Sequence, residues 1–285
     1  MNDIAGKIRN GTPLSDVLVI DEHCHLEYNM WGYQPKGSAE DIIAVMDKLG
    51  VDISCISHCA ALGADYKWGN DRVALALEKY PERFIGYCTV NPLYADDLTA
   101  ELDRCFAKNE RFMGIKLHPW CHQRPLAHSG YRDAYEYAAE HNAFVMSHTY
   151  DPGDVATTAE LAMEYPDVIF IMAHMGGEFP TINKAVDVLN KHPNVYGDIS
   201  GSLSMEGIVE WYVKEAGQKQ IVYGTDMCCM DGRATFAMIG LAEIDEEAKK
   251  DIYGLNMKRI LDKTMNSRDG QSRRFGCSER ARNAI

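Results

Sequence analysis

The chain has 285 residues and a formal net charge of −13, with 46% apolar and 25% charged residues. That is ordinary globular composition, and the length suits one α/β barrel, which runs to about 250 residues as a single unit. The acidic balance argues against a nucleic-acid or anionic-membrane surface, because binding phosphate needs clustered Lys and Arg.

Met1 to Asp16 is mostly polar and carries no secretory pattern. No apolar run approaches the roughly 20 residues that span a bilayer. The nine cysteines are scattered, with no Cys-x-x-Cys pair, which points to a reducing, cytoplasmic setting.

From Val17 onward one alternation repeats: a short apolar run, then a longer stretch of helical periodicity. The runs are Val17–Ile20, Ile53–Ile56, Phe84–Cys88, Met113–Leu117, Ala143–Met146, Val168–Met172, Val195–Ile199 and Gln220–Tyr223. Each reads as a strand buried on both faces, as parallel sheets require. Between the first two runs, Ala39–Leu49 places Ile42, Ile43, Met46 and Leu49 on one helical stripe. Ser38 and Asp41 mark its start and Gly50 its stop. Tyr94–Ala107 repeats the pattern with Leu98, Leu102 and Phe106. Pro81, Pro166 and Pro193 fall where a helix gives way to the next strand. Eight such units predict a single (β/α)8 TIM barrel over residues 1–265, with a short N-terminal extension and a polar C-terminal tail over 266–285.

The polar residues gather at the C-terminal ends of the predicted strands, where barrels build their active sites. The first strand ends Val19-Ile20-Asp21-Glu22-His23-Cys24-His25, and His58 is at the end of the second. The fourth ends Gly114-Ile115-Lys116-Leu117-His118, the fifth Met146-Ser147-His148, the sixth Met172-Ala173-His174-Met175-Gly176-Gly177 and the eighth Tyr223-Gly224-Thr225-Asp226. Side chains alternate along a strand, so His23 and His25 project to one side, as do Lys116 and His118. A lone His-x-His arises by chance, and Gly-Thr-Asp is a common turn. Their conjunction at successive strand ends points to a divalent metal, held by imidazole and carboxylate donors that suit Zn²⁺ first and Mn²⁺ or Fe²⁺ next.

Asp-Glu-His-Cys-His, Gly-Ile-Lys-Leu-His-Pro, Ala-His-Met-Gly-Gly and Tyr-Gly-Thr-Asp resemble signatures of the amidohydrolase superfamily. The resemblance is nearest to the branch that holds aminocarboxymuconate-semialdehyde decarboxylase, resorcylate decarboxylases and lactonases. It implies metal ligands at His23, His25, His148 and Asp226, with His174 activating water or stabilising the transition state. It also implies two readings of Lys116. A carboxylated lysine would bridge two metals, with His23, His25 and Asp226 on one and His148 and His174 on the other. A cationic Lys116 would instead pair with Asp226 or a substrate carboxylate beside a single metal. The Gly-Ile-Lys-Leu-His-Pro form favours the second.

His58, His118 and Arg124 are candidate substrate-binding residues, and Trp31 and Tyr33 candidate covers over the site. The expected reaction is hydrolysis of an amide, lactone or other carboxylic ester by metal-activated water, with Asp226 moving the proton. Non-oxidative decarboxylation of an aromatic or unsaturated acid is the close rival. A non-catalytic metal- or effector-binding barrel is a more distant one. No Gly-x-Gly-x-x-Gly or phosphate loop follows the first strand, which argues against a nucleotide-binding open sheet. The expected partner is a small molecule, and homo-oligomerisation is left open.

Overall fold

Short apolar runs rich in β-branched and aromatic residues become eight parallel strands in the computed structural model, which describes residues 3–27, 36–201 and 205–269. The strands are β1 Ile20–Leu26, β2 Ile53–His58, β3 Phe84–Thr89, β4 Phe112–Leu117, β5 Phe144–His148, β6 Phe170–Ala173, β7 Val195–Asp198 and β8 Ile221–Val222. They pair in sequence order, β1 to β8. Backbone hydrogen bonds then join the two ends. Glu22 N donates to Tyr223 O at 2.9 Å, and Asp226 N donates to His23 O at 2.8 Å. The protein is a (β/α)8 TIM barrel.

Alternation along each strand sorts the apolar residues into two cores. On β3, Ile85 and Tyr87 face the lumen with Ile20, Met146 and Ile171, and the C-terminal helix Asn256–Asp269 plugs the barrel floor with Met257, Ile260 and Leu261. Phe84 and Cys88 face outward into the layer beneath the helices. The helix Ala39–Leu49 forms as its pattern predicts. Ser38 and Asp41 make a capping box at its start, and Gly50 ends it at φ 85°. The second amphipathic stretch forms a helix over Ala95–Lys108.

The first strand carries its polar end as expected but starts later than its apolar run. Val17–Ile20 is buried, yet the strand begins at Ile20 and continues through the polar segment to Leu26. β2 and the chain after β8 supply backbone partners to both edges of Asp21–Leu26. His23 and His25 therefore sit on a strand held from both sides. Other strand ends shift against the apolar runs: β2 reaches His58, β3 Thr89, β5 His148 and β6 Ala173, while β7 stops short at Asp198 and β8 at Val222. Trp31, Tyr33 and residues 270–285 lie outside the described residues. The last helix runs to Asp269, past the expected start of the tail. Among the described residues no helix is long and apolar enough to cross a membrane.

Candidate metal centre

The C-terminal mouth of the barrel opens into a cavity of about 490 Å³. His23, His25, His118, His148, His174 and Asp226 line it, with Leu62, Trp120, Tyr150, Cys229 and Met230 as its less polar wall. Two backbone features bring the polar groups inward. Asp226, His174 and Met175 all have positive φ (55°, 65° and 51°), a conformation that L-residues adopt at a cost and that gathers at functional sites. Gly224 lies so close to β1 that an added Cβ would stand 2.8 Å from His23 Cβ.

The tightest group is His23, His25 and Asp226. His23 Nε2 lies 3.1 Å from His25 Nε2, and Asp226 Oδ1 lies 3.6 Å from the first and 3.2 Å from the second. A carboxylate can only accept, so Asp198 Oδ2, at 2.7 Å, places the proton of His23 on Nδ1. Nε2 then turns a lone pair towards His25 and Asp226. Acceptors this close repel one another unless a proton or cation lies between them. Two imidazoles and a carboxylate are also the donor set that Zn²⁺ prefers, so the residues fit a divalent metal.

His148 stands apart from that group. Its Nδ1 is 3.1 Å from His174 Nε2, its ring stacks on His118 at 4.1 Å, and Tyr150 lies over it at 4.9 Å. The structure thus groups His23 with His25 and Asp226, and His148 with His174. Burial holds His118 and His148 well below the ordinary histidine range, helped by neighbouring cations, and holds His23 down to about 3. All three are neutral near pH 7, the form that ligates. Burial opposes charge on Asp226, yet the hydrogen bond with His25 and the nearby His23 and His174 hold its carboxyl below the usual range.

Lys116 is fully buried beneath His23, with Nζ 3.1 Å from His23 Nε2 and 2.7 Å from Met146 Sδ. The expected pairing with Asp226 is not made: among the described residues Lys116 forms no ion pair. The reason is geometric, because His23 and His25 occupy the near face of Asp226. Burial pushes the Lys116 amine below its ordinary value.

His58 ends β2 as expected, but it is absent from the cavity lining. Its Nε2 lies 3.1 Å from Glu27 Oε2 and its ring meets Trp68 edge-on at 5.0 Å. Arg124 is exposed on an adjoining cavity of about 610 Å³ that shares Trp120, His148 and Tyr150 with the first. Its Nη1 donates to Gln123 O at 2.7 Å.

Sequence reading missed Asp198, Ser200 and Ser57 and gave Glu22 no role of its own. Asp198 ends β7 and Ser200 lies just beyond it in the site, and Ser57 Oγ lies 2.7 Å from His25 Nδ1. Glu22 is buried beside Asp198 and takes a hydrogen bond from the Tyr87 hydroxyl at 3.0 Å. Burial and the charge of Asp198 push the Glu22 carboxyl well up. The available signal was a carboxylate inside an apolar run, which is costly unless partnered.

The family model for amidohydrolases matches residues 20–263. The chain belongs to that family. No curated protein matches it. Solved structures with the same fold include 2,6-dihydroxybenzoate decarboxylase from Rhizobium, at 16% identity and TM-score 0.67 over 86% of this chain and 98% of that one. A second is 4-oxalomesaconate hydratase from Rhodopseudomonas palustris, at 18% identity and TM-score 0.68 over 89% of this chain and 99% of that one. A third is the probable 2-pyrone-4,6-dicarboxylic acid hydrolase of Acinetobacter baumannii, at 17% identity and TM-score 0.67 over 85% and 98%.

Proposed function

We propose that this protein is a metal-dependent hydrolase that opens an amide, lactone or other carboxylic ester bond with an activated water. The observation that carries the reading is the convergence of His23 Nε2, His25 Nε2 and Asp226 Oδ1 within 3.6 Å at the cavity floor. These three residues would hold one divalent metal, Zn²⁺ first by donor type, with His148 completing the set. When bound, the metal supplies Lewis acidity and lowers the pKa of a coordinated water towards about 7. Asp226, ionised and partly open to the cavity, accepts a proton there and returns it to the leaving group. His174 lines the same space, and its Nε2, an acceptor, orients the attacking water. Leu62, Trp120 and Met230 present an apolar wall that orients an uncharged part of the substrate.

Decarboxylation is the second reading, since solved structures of this fold include decarboxylases. Besides the metal, a free carboxylate on the substrate calls for a second cation such as Arg or Lys. Among the described residues lining the inner cavity none is Lys or Arg, and Arg124 sits outside on the adjoining one. This favours hydrolysis. The test is a panel of aryl esters, lactones, amides and aromatic acids incubated with the zinc-loaded protein in H₂¹⁸O. Label entering a carboxylate product supports hydrolysis. Release of CO₂ from an acid, without any hydrolysed product, sinks it.

A further inference from the structure

A neutral imidazole has one N–H and one lone pair, and a metal takes only the lone pair. What fixes the tautomer of a ligating histidine therefore fixes whether it can ligate at all. On this chain the controlling groups come from the end of β7. Asp198 Oδ2 lies 2.7 Å from His23 Nδ1 and, as an acceptor, keeps the proton there and the lone pair on Nε2. Ser200 O is a carbonyl, also only an acceptor, 3.2 Å from His174 Nδ1. It keeps that proton on Nδ1, so His174 Nε2 accepts from His148 Nδ1 at 3.1 Å. The lone pair of His148 is then on its Nε2. Ser200 Oγ lies 3.0 Å from His23 Nδ1 and 3.1 Å from His174 Nδ1 and ties the two branches together.

We infer that Asp198 and Ser200 are positioning residues that set the ring tautomers of His23, His174 and His148 and so prepare the Nε2 atoms of His23 and His148 for a metal. The inference rests on the metal-site reading above.

The carboxylate is itself fixed. Its other oxygen, Oδ1, accepts from the backbone N–H groups of His174 and Ser200. This makes an unusual prediction. In Asp198→Asn the two backbone donors claim the amide oxygen, so the NH₂ group faces His23 Nδ1. That nitrogen must become the acceptor, and its proton moves to Nε2, where it blocks the metal. Asp198→Ala removes the hold without inverting it. The isosteric variant is therefore the more damaging one, whereas a purely structural role would make alanine worse.

The experiment is competition titration of Zn²⁺ against a chromophoric chelator for the full chain and both variants, with ¹⁵N ring shifts of the metal-free wild type. Loss of its signal in His23→Gln assigns the His23 ring. Asp198→Ala is expected to lose about 10–100-fold in Zn²⁺ affinity, the usual effect of removing such a partner, and Asp198→Asn more. His23 in the wild type is expected to show a protonated Nδ1. A protonated Nε2 at His23 overturns the inference even if neither variant folds. So does an asparagine variant that binds Zn²⁺ as tightly as the alanine one. Unchanged Zn²⁺ binding in His23→Gln overturns the metal reading and the inference with it, and is told apart by leaving the wild-type tautomer as described.

Discussion

Among the described residues, two regions of the molecule gather atoms of the kind that bind metals, and they differ in what those atoms face. At the barrel mouth the ligand-type atoms of His23, His25 and Asp226 face one another beside a cavity. Beneath the outer helices the ligand-type atoms of Cys88, Glu101 and Cys105 also lie within 4.8 Å of one another, and all three residues are buried, whereas Asp226 at the mouth is partly open. There, however, donors already surround the carboxylate. Asn70 donates to Glu101 Oε1 at 2.7 Å, and Arg104 donates to both oxygens at 2.8 Å. Asn70 is in turn held by Thr89 O and Thr89 N, each at 2.9 Å. Proximity of ligand types is thus common to both, and of the two only the mouth opens on a cavity with room for a cation and a substrate. A carboxylate enclosed by donors stabilises the fold, whereas ligand atoms at a cavity are placed for chemistry.

The sharpest way to break this contrast is to remove donors from each cluster and count bound metal. The double variant His23→Ala, His25→Ala is expected to fall to background metal content and lose turnover. Glu101→Gln is expected to keep both. Elemental analysis of the purified proteins measures this, and metal lost with Glu101 rather than with the histidines would reverse the assignment.

Within the mouth, ligand and catalyst separate next. His174→Asn is expected to retain metal and lower kcat by about 10²–10⁴-fold, the range for a positioned acid–base group. His148→Ala is expected to lose metal and activity together. Metal stoichiometry and kcat on an ester or lactone substrate decide between them. Loss of metal in both variants would make His174 a ligand and favour two metals, the grouping with a carboxylated Lys116.

For the saturated cluster the effect is on stability alone. Glu101→Gln should lose about 1.5–3 kcal/mol, as for hydrogen bonds to a charged group, read from denaturant unfolding. A neutral result there, with intact Tm, would mean that Arg104 and Asn70 find water as easily as Glu101.

The smallest effect concerns a histidine that belongs to neither cluster. His122 Nδ1 lies 2.6 Å from the Tyr131 hydroxyl, and burial lowers its pKa to about 4. The unfolded chain takes up this proton near pH 6.5 and the folded one only near 4, so stability falls as pH drops through that window and is level above it. In metal-free protein the fall in Tm between pH 6.5 and 4.5 should be shallower in His122→Phe. An unchanged slope would remove His122 from the account.

Much of this was legible in the residue order. Buried strands are short and apolar, helices carry their own caps, and barrel sites lie at strand ends, so eight runs and their polar successors placed the mouth with its histidines and Asp226. These signals are local, with periods of two and 3.6 residues. The sequence by itself determined the alternation, the family signatures and the side of the sheet on which His23 and His25 stand. Tertiary structure alone decided that the first strand starts only at Ile20 and is held through Leu26, because its partners lie in β2 and beyond β8. It also decided that Lys116 meets His23 rather than Asp226, that His58 turns to Glu27, and that Asp198 reaches His23 across 175 positions of chain. Those contacts depend on closure and register of the barrel, which set neighbours by geometry across strands and leave no periodic trace along any one of them.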